Sequence, residues 1–275
     1  MDLRFWLPVL CAGVLSGTSS ALLGVYIVGM RIPSLAVCVA HAALAGAVGG
    51  ALCGLTGPAM LGPALVAACA VALLLGHAEG RGVQIDANIT IGVLFSLSMG
   101  LAFLGIGLLG RLGRPDNAVR NLLWGNVNFC RWSDVYLMLG VTAVLALFVV
   151  LFGKELRAIM FSRQHALAAG IPVGLVWTAF LLLTSAALTV NFQTVGGLMI
   201  YSLITNPAIA AFQLTRGHGR TLWLAVLLGG LSSLGGFLLA AILDLPTGAT
   251  IVIVSSALVG AAAWRRARRA HAGNA

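Results

Sequence analysis

Nine stretches of about 20 apolar residues follow one another along this chain, at 5–29, 33–54, 58–77, 88–110, 134–153, 171–192, 196–215, 220–243 and 247–264. A hydrocarbon core about 30 Å thick is crossed by about 20 helical residues, so each stretch is one crossing long. Inside lipid a spanning segment must satisfy its own backbone N–H and C=O groups, and a continuous apolar run does that as a helix. The pattern specifies an all-α, polytopic transmembrane helix bundle of about 8–9 spans. We expect one transmembrane domain over 1–264 and a basic tail over 265–275. Only 8% of the residues are charged and 60% are hydrophobic, whereas soluble domains carry about 25% charged residues.

The formal charge of +9 comes from sixteen Lys and Arg. In a soluble chain it would suggest a nucleic-acid partner; here the cations lie between or beyond the apolar runs, report orientation, and imply no nucleic acid. Counted back from a cytoplasmic C-terminus, Arg31, Arg81, Lys154, Arg157, Arg163, Arg216, Arg220, Arg265, Arg266, Arg268 and Arg269 fall inside. Arg4, Arg111, Arg114, Arg120 and Arg131 fall outside. The first apolar run is too long for the core of a signal peptide, so it is expected to be an uncleaved span. Five scattered cysteines with no C-x-x-C pair give neither a disulfide framework nor a zinc knuckle.

The segment 32–50, IPSLAVCVAHAALAGAVGG, places His41 deep inside a span, and an ionisable group there is a functional candidate. At 3.6 residues per turn Ser34, Cys38, His41 and Ala45 share one face, while Ala42, Gly46 and Gly50 form an adjacent small-residue stripe suited to close helix contact. His41 reads either as a ligand on an ion path or as a neutral imidazole bonded to a carbonyl. Cys38 reads as a second ligand or as a small buried hydrophobe. Asn206 precedes Pro207, which frees the carbonyl of Leu203; the pair serves a path or a kink. Ser96 and Ser98 serve a path or bond back to their own helix. Asp86 and Asp244 lie at span edges, where capping or turn formation is expected. The tryptophans of the 111–133 loop, Trp124 and Trp132, read as interfacial anchors or ligand contacts. In 152–172, FGKELRAIMFSRQHALAAGIP, Ser162 can cap a short helix over 163–169 that Gly170 and Pro172 stop, forming a docking element or a plain connector.

Several of these segments, in order, resemble the permease subunit of the ABC importers for zinc, manganese and iron. Arg31 with HAALAG at 41–46 is similar to that family's second span. QIDANITIG at 84–92, LLWGN at 122–126, FSRQHALAAG at 161–170, VGGLMIYSLITNPAIAA at 195–211 and DLPTGATIVIV at 244–254 match its later motifs. The resemblance implies a type II ABC importer fold and a permease subunit that passes a divalent metal ion by alternating access. It implies no permanently bound cofactor, with ATP on a partner subunit. It places the chain in the cell (inner or plasma) membrane, as a homodimer in the lipid bilayer, served by an extracytoplasmic metal-binding protein. An ABC ATPase subunit would dock on the cytoplasmic face at Ser162, Arg163, Gln164, His165, Ala166, Ala169 and Gly170. It makes His41 the metal ligand, with Cys38, Asn206 and Ser96 along the path.

The chain also departs from the family pattern. Val37 stands where zinc and manganese members carry an aspartate four residues before the histidine. Ser96 replaces a second histidine of some zinc members, Asn206 an aliphatic residue, and Ser162 the aspartate of the coupling segment. A Cys38–His41 pair would favour zinc over manganese.

The chain does not carry its own engine. A Walker A loop needs Gly-x-x-x-x-Gly-Lys, and the single lysine, Lys154, has Phe148 where the first glycine belongs. Three other readings fit the composition. A permease for a siderophore or cobalamin chelate shares the fold class. A proton-coupled transporter would need acidic residues within its spans, and Asp86 and Asp244 are at the edges. An intramembrane hydrolase would pair His41 with Ser96 or Ser232, but no Gly-x-Ser-x-Gly elbow is present.

Overall fold

A computed structural model describes residues 3–80, 87–114 and 130–272. The segments 81–86 and 115–129 lie outside the described residues, and with them Arg81, Asp86, Pro115, Asp116, Arg120, Trp124 and the LLWGN motif. All regular secondary structure among the described residues is helical. In chain order the helices are α1 (Leu3–Gly29), α2 (Ser34–Leu52), α3 (Leu61–Gly80, after a 3-10 turn at Gly57–Met60), α4 (Ala87–Arg111), α5 (Trp132–Phe161), α6 (Arg163–Ala168), α7 (Val173–Val195), α8 (Gly197–Leu214), α9 (His218–Leu243) and α10 (Thr247–Ala272). Eight are long and apolar enough to cross a membrane, and α8 is a shorter apolar helix.

Two boundaries differ from those expected. The fifth span does not stop at 153: after non-helical angles at Phe152 (φ −107°, ψ 16°) the helix resumes to Phe161. Lys154, Glu155, Leu156, Arg157 and Ala158 all favour helix, so the chain bends there instead of unwinding. Likewise α10 carries the basic segment from Arg265 onward as a continuation of the helix, with Arg268 stacked 3.8 Å over the Trp264 ring one turn back.

The helices form two compact units interleaved in sequence. One contains Met1–Pro33, Val127–Met138 and Met199–Ala275. Here α1 and α9 run antiparallel: Trp6 meets Phe237, Gly17 packs on Gly229, and Tyr26 bonds His218 at 3.2 Å. A Cβ on Gly17 or Gly229 would collide with the opposing backbone, so the two helices touch along their main chains. By contrast α8 and α10 run parallel, Met199 lying on Gly248 and Asn206 on Ser255. This explains the glycine of the DLPTGAT motif, because a side chain at 248 would occupy the space of Met199. Since α9 and α10 form an antiparallel pair, with Ile251 on Gly236, the helices α1, α8 and α10 all point the same way. The 18 residues of α8 rise about 27 Å, a little less than the thickness of a hydrocarbon core. One end of this unit therefore collects Arg31, Arg216, Arg220, Arg265, Arg266, Arg268 and Arg269.

The other unit contains Ser34–Asn126 and Leu139–Leu198. Its centre is α2, which packs on α3, α4 and α7. Gly46 meets the backbone of Pro63 at the start of α3, as the small-residue stripe leads one to expect. On the opposite side α4 runs parallel to α2: Ser34 reaches Asn88 at 3.4 Å, and Val48 lies on Gly105. Arg114, just beyond α4, donates to the Ala51 and Leu52 carbonyls at 3.1 and 2.7 Å. A cation on the last carbonyls of α2 satisfies acceptors that the helix leaves open, so this loop arginine has a structural task.

Candidate metal path and coupling segment

Gly46, Ala51 and Leu52 of α2 are half-buried, and so are Ser34, Val37, His41, Ala45 and Gly49, which form a stripe that follows the helical period. His41 sits at its middle. Its Nδ1 lies 2.9 Å from the carbonyl oxygen of Val37. A carbonyl only accepts, so Nδ1 carries a proton, and in the neutral tautomer this contact selects the lone pair is on Nε2. The ring edge also meets Phe95 of α4, with centroids 5.0 Å apart at 82°. Both alternatives for this histidine are thus partly present: one nitrogen bonds a carbonyl and the other is a free donor atom. The residue four before it, where a carboxylate was expected to assist, orients the imidazole with its main chain instead.

Cys38 is completely buried. The half-buried stripe through His41 does not include it. Ser96 lies exposed on α4, one residue after Phe95, and its hydroxyl donates to the Gly92 carbonyl at 3.0 Å. Ser98 is buried. Among the described residues no group of three or more His, Cys, Asp or Glu side chains converges.

Asn206 belongs to the other unit. Its side-chain nitrogen donates to Ser255 at 3.0 Å and Ser256 at 3.1 Å, tying α8 to α10 at the level of Pro207. Asp244 is the residue after α9, in the left-handed conformation (φ 53°, ψ 45°), with its N–H on the Ala240 carbonyl. It closes a helix C-terminus through its backbone, at the turn into α10; Asp tolerates this conformation better than most residues. Ser232 donates to Gly229 at 3.0 Å. The serines proposed for a hydrolase, Ser96 and Ser232, therefore both spend their protons on their own helices.

The coupling segment folds as its residues dictate. Ser162 is extended (φ −164°) and accepts the His165 backbone N–H at 3.4 Å, while the His165 ring nitrogen Nδ1 lies 2.9 Å from the same hydroxyl. At the far end Gly170 has φ +79°, its N–H reaches Leu167, and the N–H of Ile171 reaches Ala166, a Schellman closure. Ala166 is buried, and the Arg163 guanidinium lies 4.8 Å over the Trp177 ring of α7. Gln164, His165, Ala169 and Gly170 are exposed. So are Phe161 (85%) and Leu167 (59%). These two apolar side chains lie within the FSRQHALAAG motif but were not singled out in the sequence; their exposure is the signal.

The sequence pattern of the ABC 3 transport family matches residues 2–266. The chain is similar to the manganese transport system membrane protein MntC of Halalkalibacterium halodurans, 27% identical over 90% of this chain and 83% of that one. It is 26% identical to the high-affinity zinc uptake system membrane protein ZnuB of Haemophilus influenzae, over 95% of this chain and 97% of that one. The solved structure of PsaBC from Streptococcus pneumoniae in complex with Fab superposes with a TM-score of 0.81, at 21% identity, over 95% of this chain and 91% of that one.

Proposed function

Because the chain belongs to the ABC 3 transport family, we propose that it is the membrane-spanning permease subunit of an ATP-driven importer of a divalent transition metal of the zinc, manganese or iron class. The observation that supports this most directly is His41: an imidazole at mid-span, half-buried, with Nδ1 held by the Val37 carbonyl. Such a donor takes borderline ions, zinc best, and a single imidazole holds an ion loosely enough to pass it on. Ser96 and Asn206 would line the route. Cys38 would serve it only after rotation of α2.

Energy would come from an ABC ATPase that grips the exposed side of α6, with Phe161 and Leu167 as apolar contacts and Arg163 transmitting movement to α7 through Trp177. A metal-binding protein would deliver the ion at the opposite end, and two permease copies would form the gate. The arginine-rich end of the first unit would face the cytoplasm, so that α1 begins outside and α10 ends inside. The test is uptake of zinc and manganese into vesicles holding the permease with its ATPase and binding protein. His41→Ala should lower uptake about tenfold or more, a loss of about 1.4 kcal/mol, with the thermal midpoint unchanged. Normal uptake by His41→Ala would remove His41 from the path, and uptake only of chelated metal would point to the chelate class.

A further inference from the structure

The first unit carries a groove of about 1040 Å³ between α1 and α9. It starts where Gly17 and Gly229 bring the two helices together: Val14, Thr18 and Gly230 form the floor, and Leu227 and Leu231 stand exposed as a wall. From Gly219 to Leu234 it follows about 22 Å of helix, which reaches past the middle of a hydrocarbon core about 30 Å thick. Apart from Thr18, whose hydroxyl donates to the Val14 carbonyl at 2.8 Å, its polar residues lie at one mouth. There Thr215 and Arg220 line it, Arg216 is adjacent, and Trp223 is 78% exposed one turn further in. Arg216 and Arg220 are exposed and make no hydrogen bond or ion pair with any described residue.

A long apolar trough within the bilayer, with two unpaired guanidinium groups at headgroup depth and a tryptophan at the boundary, is complementary to one chemistry. We infer that this groove binds an anionic phospholipid, one acyl chain lying along Thr18, Leu227 and Leu231 and the phosphate on Arg220 and Arg216. A zwitterionic lipid would gain the same apolar contact but would carry an ammonium group against the arginines. A second copy of this chain would have to bury both guanidinium groups, and this face offers no carboxylate among its lining residues. The inference needs only that the chain spans a membrane, so it stands or falls separately from the assignment of His41.

The experiment extracts the full chain from vesicles of equimolar phosphatidylglycerol and phosphatidylcholine and counts the lipids it retains by native mass spectrometry. The wild type should keep phosphatidylglycerol over phosphatidylcholine at least fivefold. Arg220→Gln should bring the ratio close to one, and Arg220→Lys should restore most of it. Leu231→Trp, which fills the trough and leaves the charges, should lower the retention of both lipids. Equal retention by the wild type, or a ratio that Arg220→Gln leaves unchanged, overturns the inference. So does a Leu231→Trp chain that keeps its lipid and passes from dimer to monomer, because a second copy would then be the occupant. If Arg220→Gln fails to fold, the wild-type ratio, Arg220→Lys and Leu231→Trp still decide.

Discussion

The Val37 carbonyl fixes which nitrogen of His41 can meet an ion, since the proton it accepts is the one the ring would otherwise place on either side. His41→Gln should therefore retain some uptake, because an amide can keep the backbone bond or offer an oxygen, whereas His41→Ala should retain almost none; initial rates of zinc uptake separate the two. In the other unit, Asn206→Ala removes both hydrogen bonds to α10 and should cost about 1 kcal/mol, read as a lower thermal midpoint in detergent. His41 was legible in the sequence because an imidazole amid apolar residues has no bland surface explanation. Its hydrogen-bond partner was not, because every residue brings a carbonyl and only the fold selects one. How Cys38 lies relative to His41 was not legible in the sequence for a related reason. Three residues on a helix leave about 60° between two side chains, and packing on the neighbouring helices decides where the covered arc ends. Cys130, outside the spans, has its thiol pushed up to about 11, by burial first and by the Asp134 carboxylate second. It should react with maleimide at pH 8 much more slowly than exposed Cys53, measured by mass spectrometry.

Helix α6 is too short to persist by itself, so its caps and its contact with α7 hold it. Ser162→Ala should cost about 1 kcal/mol locally and lower metal uptake per ATP hydrolysed while leaving the membrane helices intact; a coupled assay of phosphate release and uptake measures it. The stop at Gly170 and the cap at Ser162 were readable from residue type, since each supplies something other residues cannot. The continuation of α5 to Phe161 was not, because charge ends a hydrophobic run without ending a helix: Lys154, Glu155 and Arg157 marked the water boundary and were taken for the helix boundary. In α10, too, Arg265 to Arg269 leave the apolar span but stay helical.

At the scale of the molecule, apolar run length found each of the eight described helices long enough to span, and the shorter α8, because the thickness of lipid sets a ruler that side-chain detail hardly changes. What run length could not show is how the chain divides: the two units each take segments from both halves of the sequence, and close contacts such as Gly17 with Gly229 join residues more than 200 apart. The shared direction of α1, α8 and α10 forecasts, without charge counting, that tags at the two termini lie on opposite sides; the arginine-rich end adds that the C-terminal one is protected from protease in right-side-out vesicles. The central claim is that this subunit is a passive gate moved by a separate ATPase. The most direct measurement is zinc accumulation in sealed vesicles against a gradient, with ATP available to the partner, comparing the permease alone, the complex, and a complex whose permease carries Leu167→Asp on α6. The account predicts accumulation by the intact complex, none by the permease alone, and a drop of about tenfold for the variant, with its helices still folded. Uphill accumulation by the permease alone would contradict it.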